Sequence, residues 1–356
     1  MRLTIGKVRT IWGRQLPGLS GESTLTGDWP SIFNAGLLCL LVCFSCATAQ
    51  GQGQQPDDKI TIETNLISVP VIVSDRSGHY IPGLGVQDFK LYDNNSEQKI
   101  SFFDAAAEPL NVVLLLDTSR STQGVLGEIK NAAREFLKQL RPQDRAMIIS
   151  FDKDVRKLSE LTSDRKAWEK AIKRTEVSKY FGTLLNDAVL SSSQTVLQPV
   201  TGRKAIILLT DGEDGGSQTG RTELLAYESE ADAMIYSIYY ESSLRAGGGG
   251  FRFPSLGGIF GRSDRSPDKQ KERGAGAVDF LTRLSEVTGG RFYRSKATDL
   301  NSAFKLVAAG LRHQYRLGFY PDNLTQDGTV HALRVKVDRP DIAVRARRQY
   351  RAKPAP

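Results

Sequence analysis

The sequence predicts an α/β protein in which a mostly parallel sheet is covered by helices on both faces. Two unbroken apolar runs, 112–116 and 205–209, predict buried strands. Around them, further apolar runs alternate with segments of helical periodicity, which is typical of a doubly wound sheet. With 356 residues, 40% of them hydrophobic, the chain can form one large domain or two smaller ones, each with a core.

The elements of this alternating region, which we place at 109–313, are assigned in chain order. Strands are predicted at 112–117, 145–151, 155–158, 205–210, 234–240 and 291–293. Helices are predicted at 124–140, 164–174, 183–197, 221–233, 278–287 and 300–311. The helix at 278–287 is followed by Gly289 and Gly290, a typical signal for a helix C-terminus.

Period-two spacing of apolar residues predicts antiparallel strands before and after the alternating region. Residues 60–108 are predicted to form a small β-unit, with a hairpin turn at Asp93-Asn94-Asn95. Within 314–350, strands are predicted at 315–320, 332–337 and 342–347. A unit of this size is marginal alone, so we expect the two sets to form one sandwich beside the α/β core.

The N-terminal region predicts export. An apolar segment at 32–47 is shorter than the ~20 residues of a membrane span, and Ala47-Thr48-Ala49 after it fits a signal-peptidase site. We therefore predict a signal peptide or retained anchor at 1–49, a polar linker at 50–59, and a periplasmic, envelope or extracellular location. All three cysteines lie in the apolar segment, so a cleaved chain has neither disulfides nor thiolate metal ligands.

Polar residues follow the predicted buried strands and suggest a metal site. Carboxyl ends of parallel strands meet at one sheet edge, where ligands bind at the switch in strand order. Carboxylate and hydroxyl oxygens suit Mg²⁺, with Mn²⁺ as an alternative. An ion held in this way attracts an outside carboxylate. If Asp117, Ser119 and Ser121 are taken alone, capping of a helix N-terminus explains them as well. The candidate ligands are Asp117, Ser119, Ser121, Thr183 and Asp211.

A family resemblance rests on these residues. Asp117-Thr118-Ser119-Arg120-Ser121, Thr183 and the segment 210–214 resemble the metal-ion-dependent adhesion site (MIDAS) of von Willebrand factor type A (VWA) domains, matching all five positions in order. The span 60–350 is similar to the bacterial VWFA-related domain of acidobacterial type. The resemblance implies a Rossmann-like, six-stranded sheet. It also implies that the three hydroxyls bind Mg²⁺ while the two acids complete its shell.

A glycine-rich insertion at 242–276 departs from the family pattern. It has nine glycines, four of them consecutive at 247–250, and we predict that it is disordered. Because it follows the strand at 234–240, it should leave from the sheet edge that bears the candidate metal ligands. We therefore expect its aromatic residues to contact a partner or cover the metal face. These residues are Phe251, Phe253 and Phe260.

The predicted function is an exported binding protein that engages a protein partner through Mg²⁺ and an Asp or Glu of that partner. The alternative is an envelope-assembly scaffold with metal-independent contacts. A metal-dependent hydrolase is disfavoured because no base or nucleophile converges on the site, and the histidines are scattered. Despite the net charge of +8, we expect no nucleic-acid partner, and membrane contact only through an uncleaved N-terminal segment.

Overall fold

The computed structural model describes residues 66–241, 267–321 and 328–352, with backbone alone for 267–273. All of them belong to one of the two units of the chain, Glu63–Pro356. The predicted signal peptide, the linker, the first part of the β-unit and residues 242–266 of the insertion lie outside the described residues. Within the described ranges, no helix is long and apolar enough to span a membrane.

Strands and helices alternate through the middle of the chain. The strands of the described residues are β1 (Ile67–Asp75), β2 (Phe89–Asp93), β3 (Ser96–Gln98), β4 (Phe102–Ala105), β5 (Leu110–Asp117), β6 (Arg145–Phe151), β7 (Val155–Lys157), β8 (Arg203–Thr210), β9 (Met234–Tyr240), β10 (Arg291–Ser295), β11 (Gln314–Phe319), β12 (Val330–Val337), β13 (Ile342–Ala346) and β14 (Gln349–Arg351). The helices are α1 (Leu126–Lys138), α2 (Arg165–Arg174), α3 (Leu185–Ser191), α4 (Arg221–Glu230), α5 (Pro267–Val287) and α6 (Leu300–Arg312). A π-helical segment, Ser192–Leu197, continues α3.

A six-stranded sheet forms the centre of the α/β part, in the order β10-β9-β8-β5-β6-β7. Its strands are parallel except β7, which pairs antiparallel with β6. The chain passes from β5 outward to β6 and then crosses to β8 on the other side of β5. The order therefore reverses between β5 and β8, which creates the crevice where ligands bind in such sheets. This confirms the predicted doubly wound, mostly parallel sheet of six strands.

Alternate residues of β5 face two helical layers. Val112, Leu114 and Leu116 join a core with α1, α2 and α6. Val113 and Leu115 join a second core with α3, α4 and α5. Because both faces of the strand are covered, every residue of β5 and of β8 is buried, and this explains the unbroken apolar runs in the sequence.

The N- and C-terminal segments form a β-sandwich, as predicted. One sheet has the order β13-β1-β11-β4 and the other β14-β12-β2-β3. Apolar residues of both sheets, among them Val71, Leu91 and Phe319, form a third core. The β2–β3 hairpin turns at Asn94 and Asn95, whose φ values of 46° and 70° are those of the turn type that best matches strand twist.

The predicted start of one helix differs most from the structure. The helix predicted at 278–287 begins at Pro267, so the C-terminal part of the predicted disordered insertion is helical. Proline is favoured in the first turn of a helix because its missing N–H is not needed there. The charged residues that follow, 268–273, include strong helix formers but lack the apolar periodicity used for the prediction. The helix ends as predicted, with Gly289 at φ 75°.

Candidate metal site

Two buried carboxylates lie at the ends of neighbouring strands. Asp117 is the last residue of β5, and Asp211 directly follows β8, which pairs in parallel with β5. Asp117 is 0% exposed and Asp211 is 1% exposed. The switch in strand order therefore brings the two predicted acids together at the carboxyl edge of the sheet.

Hydrogen bonds orient the carboxylate of Asp117. The amide of Ser119 donates to Asp117 Oδ1 at 2.9 Å, and the hydroxyl of Thr210 donates to Oδ2 at 2.7 Å. That hydroxyl itself accepts the amide of Gly212 at 3.0 Å. Asp211 Oδ1 accepts the amide of Glu213 at 3.3 Å. The loops after β5 and β8 thus hold both acids in fixed orientations.

Burial raises the pKa of Asp117 to about 7, and the negative charge of Asp211 contributes to the rise. Desolvation and like charge both disfavour ionisation of the pair. A divalent cation would oppose both effects, since its charge favours the deprotonated carboxylates.

The two predicted serines lie side by side in the loop after β5. Ser119 Oγ and Ser121 Oγ are 2.9 Å apart. A single 3₁₀ turn, Arg120–Thr122, follows Ser119, and the hydroxyl of Thr122 donates to the carbonyl of Ser119 at 2.8 Å. This turn places both serine hydroxyls on the same side of the loop.

Thr183 lies in a loop, not in the first turn of a helix, because α3 begins at Leu185. The side chain of Thr183 is buried, and its carbonyl accepts the amide of Gly215 at 3.0 Å. This bond joins the Thr183 loop to the loop that follows Asp211. The preceding Gly182 has φ 120°, a conformation that favours glycine.

Asp152, which was not predicted from the sequence, connects the loops of the site. It is fully buried and accepts the hydroxyl of Thr118 at 3.2 Å, while its carbonyl accepts the amide of Leu184 at 2.7 Å. Arg156 pairs with the Asp152 carboxylate, and this hydrogen bond raises the pKa of Arg156. Asp152 follows β6 as Asp211 follows β8, so its position in the sequence was a usable signal.

Asp214, a further acid of the loop after β8, accepts hydrogen bonds from the start of α3. Its Oδ1 accepts the amides of Leu185 and Asn186 at 3.0 and 3.3 Å, and the hydroxyl of Ser217 at 2.5 Å. Asp214 therefore satisfies the first amides of α3 from another loop, where a carboxylate is also favoured by the helix dipole.

The hydroxyl of Tyr240, at the end of β9, is also buried near the acid pair. Burial raises the pKa of Tyr240, and the charges of Asp117 and Asp211 add to the rise. Among the described residues, this hydroxyl has no hydrogen-bond partner. The charges of both candidate acids therefore act on this buried hydroxyl.

The donors fit a hard cation better than a soft one. Within the described ranges, no group of three or more His, Cys, Asp or Glu side chains is placed to hold a metal ion. The candidate set instead combines two carboxylates with three hydroxyls, oxygen donors of the kind that Mg²⁺ binds together with water. The predicted partner residues Phe251, Phe253 and Phe260 lie outside the described residues.

A doubly wound sheet with two buried carboxylates at its switch point defines a Rossmann-like domain. Residues 112–213 match the von Willebrand factor type A domain family. This region of the chain is therefore a VWA domain, as the motif predicted. Such domains are generally non-enzymatic and mediate protein–protein interaction, which supports an interaction role for this chain.

Each similarity to a known protein covers only part of this chain. Inter alpha-trypsin inhibitor heavy chain 4 of Mus musculus is 30% identical over 140 residues, 36% of this chain and 15% of the relative. Among solved structures, BatB of Bacteroides thetaiotaomicron is 19% identical, with TM-score 0.42 and coverage of 57% of this chain and 97% of that one. Proximal thread matrix protein 1 of the mussel byssus, described with a zinc-occupied MIDAS motif, is 17% identical, with TM-score 0.43 and coverage of 60% and 48%.

Proposed function

We propose that this chain is an exported binding protein whose VWA domain engages a protein partner through a bound Mg²⁺. The observation that carries the proposal is the pair of buried carboxylates, Asp117 and Asp211, at adjacent strand ends. Two desolvated acids side by side are costly unless a cation compensates them. Neutral serine hydroxyls next to the pair supply further oxygen donors.

The hydroxyl residues and the aspartates would have different roles in binding the ion. Ser119, Ser121 and Thr183 would bind the ion through neutral oxygens, and the two aspartates would complete its shell. Because the direct ligands carry no charge, the ion would keep enough positive charge to accept a carboxylate from outside. An Asp or Glu of the partner would then take the open coordination position. Mn²⁺, with similar ligand preferences, is the alternative ion.

Export is proposed from the N-terminal sequence. The apolar segment at 32–47 and the Ala47-Thr48-Ala49 pattern support cleavage after Ala49 and a place in the periplasm, envelope or medium. N-terminal sequencing of the exported chain should begin at Gln50. A chain that still begins before residue 32 would contradict cleavage and favour the alternative, in which residues 1–49 are kept as an anchor.

Calorimetry and thermal unfolding test the metal site together. The wild-type protein should bind Mg²⁺ and unfold at a higher temperature when Mg²⁺ is present. Asp117→Asn should bind Mg²⁺ much more weakly, yet unfold at an equal or higher temperature without Mg²⁺, since it removes like-charge repulsion. Asp279→Asn, which changes an acid of α5 outside the site, is the matched control and should behave as wild type. Equal Mg²⁺ affinity for wild type and Asp117→Asn would refute the site.

Partner capture distinguishes the proposal from the scaffold alternative. Capture from an envelope extract should need Mg²⁺ and should be lost in EDTA. Capture that survives EDTA and Asp117→Asn would instead favour a scaffold with metal-independent contacts.

A further inference from the structure

We propose that the partner segment carries a second acidic residue and an apolar side chain beside the acid that binds the metal. The chain would recognise them with four side chains around the candidate metal site, here called the aromatic rim: Arg120, Lys153, Tyr180 and Phe181. This inference rests on the proposed function and adds the chemistry of the partner.

The two aromatic residues of the rim are unusually exposed. Phe181 is 80% exposed and Tyr180 is 62% exposed, the two highest values among the large apolar side chains that the structure describes. An isolated exposed apolar residue needs no explanation, but two adjacent aromatics of this exposure form a surface that a partner can cover. They directly precede Gly182 and the candidate ligand Thr183, so the surface lies on the loop that carries this candidate ligand.

A cation lies over each aromatic ring. The guanidinium carbon of Arg120 is 4.9 Å from the centroid of the Phe181 ring, and Lys153 Nζ is 4.2 Å from that of Tyr180. These distances are within the range of cation–π contacts. Arg120 stands between the candidate ligands Ser119 and Ser121, so one pair joins both ligand-bearing loops.

Lys153 connects the second pair to the same framework. It follows Asp152, whose carbonyl accepts the amide next to Thr183. Gly182 packs against Lys153 so closely that an added Cβ would lie 3.3 Å from Lys153 Cβ. The rim is therefore attached to the loops that hold the candidate metal ligands.

A pocket beside Tyr180 offers space for a second acidic side chain. Its volume is about 340 Å³, and basic groups on its wall include Lys153, Arg174 and Lys179. Three acids, Asp152, Asp154 and Glu176, also line it. Asp152 is already paired with Arg156, and Lys153 Nζ is 3.7 Å from Asp154. Lys179 and Arg120 have no ion pair among the described residues, so cationic groups remain available to a carboxylate.

Charge complementarity favours an acidic protein segment as the occupant. Its first carboxylate would bind the ion, and its second would contact Arg120, Lys153 or the pocket. An apolar side chain next to them would pack on Phe181, since aromatic and arginine side chains provide much of the energy of protein interfaces. An anionic membrane could also contact exposed aromatics and cations, and the experiment separates the two.

Peptide selection on the full chain tests the partner chemistry. A random displayed peptide library is bound to the immobilised protein with Mg²⁺, and bound peptides are eluted with EDTA. Eluted peptides should share one acidic residue, as the proposed function requires, and a second acid with a neighbouring apolar residue, as the rim requires. Peptides with a single acid and no such neighbours would overturn the rim but not the metal site. Absence of any acidic consensus would overturn both.

Affinities of a selected peptide then assign the contacts. Phe181→Ala should weaken binding about tenfold, and Lys153→Ala about threefold, with less effect at high salt. Both variants should bind Mg²⁺ as wild type does. Replacing the second acid of the peptide by its amide should remove most of the effect of Lys153→Ala. Leu306→Ala and Lys138→Ala, which change exposed residues of α6 and α1, are the matched controls.

Unchanged peptide affinity in Phe181→Ala and Lys153→Ala would overturn the proposal. So would Mg²⁺-independent binding of phosphatidylglycerol vesicles that Phe181→Ala abolishes, because the rim would then serve a membrane.

Discussion

Replacing Glu228 by glutamine should make the stability of the domain less sensitive to pH. Glu228 lies in α4 with its side chain fully buried, and neither carboxyl oxygen has a hydrogen-bond partner among the described residues. Burial raises its pKa to about 8, while the neighbouring hydroxyl of Ser193 opposes the rise. The folded protein therefore keeps this carboxyl group protonated at neutral pH.

The sign of the effect follows from proton binding in the two states. In the unfolded chain Glu228 ionises near the ordinary glutamate pKa of 4.5, whereas in the folded chain it ionises near a pKa of about 8. Between these values the folded state binds one proton more, so stability is lost as pH rises from 4.5 towards 8. The loss is about 1.4 kcal/mol per pH unit, which amounts to about 3 kcal/mol at pH 7.

Glutamine has a similar shape and stays neutral at every pH. Glu228→Gln should therefore match wild type near pH 4.5 and become more stable than wild type by about 3 kcal/mol at pH 7. Urea unfolding between about pH 5 and 8, followed by circular dichroism at constant ionic strength, measures this difference. Other titrating groups cancel because they are the same in both proteins.

The matched control is Glu223→Gln, which removes an exposed carboxylate from the same helix. Its stability relative to wild type should stay nearly constant across the pH range. If the difference between wild type and Glu228→Gln is equally constant, Glu228 is ionised in the folded protein and the reasoning is refuted.

Three further predictions concern other buried contacts. His331→Ala should destabilise the sandwich by about 3 kcal/mol in urea unfolding, because Asp93, 2.9 Å from the imidazole, loses a partner while buried; an unchanged midpoint would contradict this. Gly290→Ala should destabilise the folded protein by about 2 kcal/mol or more, because the added Cβ would lie 2.0 Å from a carbonyl oxygen of β9. Gly276→Ala should be tolerated, since no atom lies within 4 Å of its added Cβ. Asp152→Asn should weaken Mg²⁺ binding about tenfold in calorimetry, and wild-type affinity would show that the loops hold their positions without it.

The strands that are buried on both faces were predictable from their unbroken apolar runs. β5 and β8 are continuous apolar runs, and both lie at the centre of the sheet with helices on either side. The turn at Asn94 and Asn95 was predictable for a local reason, since both residues tolerate positive φ. The N-terminus of α5 was not, because the charged residues after Pro267 show no apolar face.

The site was only partly predictable, because some roles depend on contacts between distant segments. Asp117 and Asp211 could be found from their positions after apolar strands. Asp214 caps α3 through a residue 29 positions away, and Asp152 binds Thr118 across 34 positions. Sequence pattern alone does not show which loops meet, since that depends on strand order, and the order is fixed by packing over the whole sheet.

Asp152 also shows how metal binding and partner recognition would be connected. Its carboxylate holds Thr118, which lies between Asp117 and Ser119, and its carbonyl holds Leu184, which follows Thr183. The next residue, Lys153, belongs to the aromatic rim and lies over Tyr180. An ion that fixes the ligand loops would therefore also fix the rim, since the same short segment supports both. On this basis Asp152→Asn should lower peptide affinity even at saturating Mg²⁺, where weaker Mg²⁺ binding no longer contributes to the loss. Equal peptide affinity at saturating Mg²⁺ would show that the rim is held independently of the metal loops.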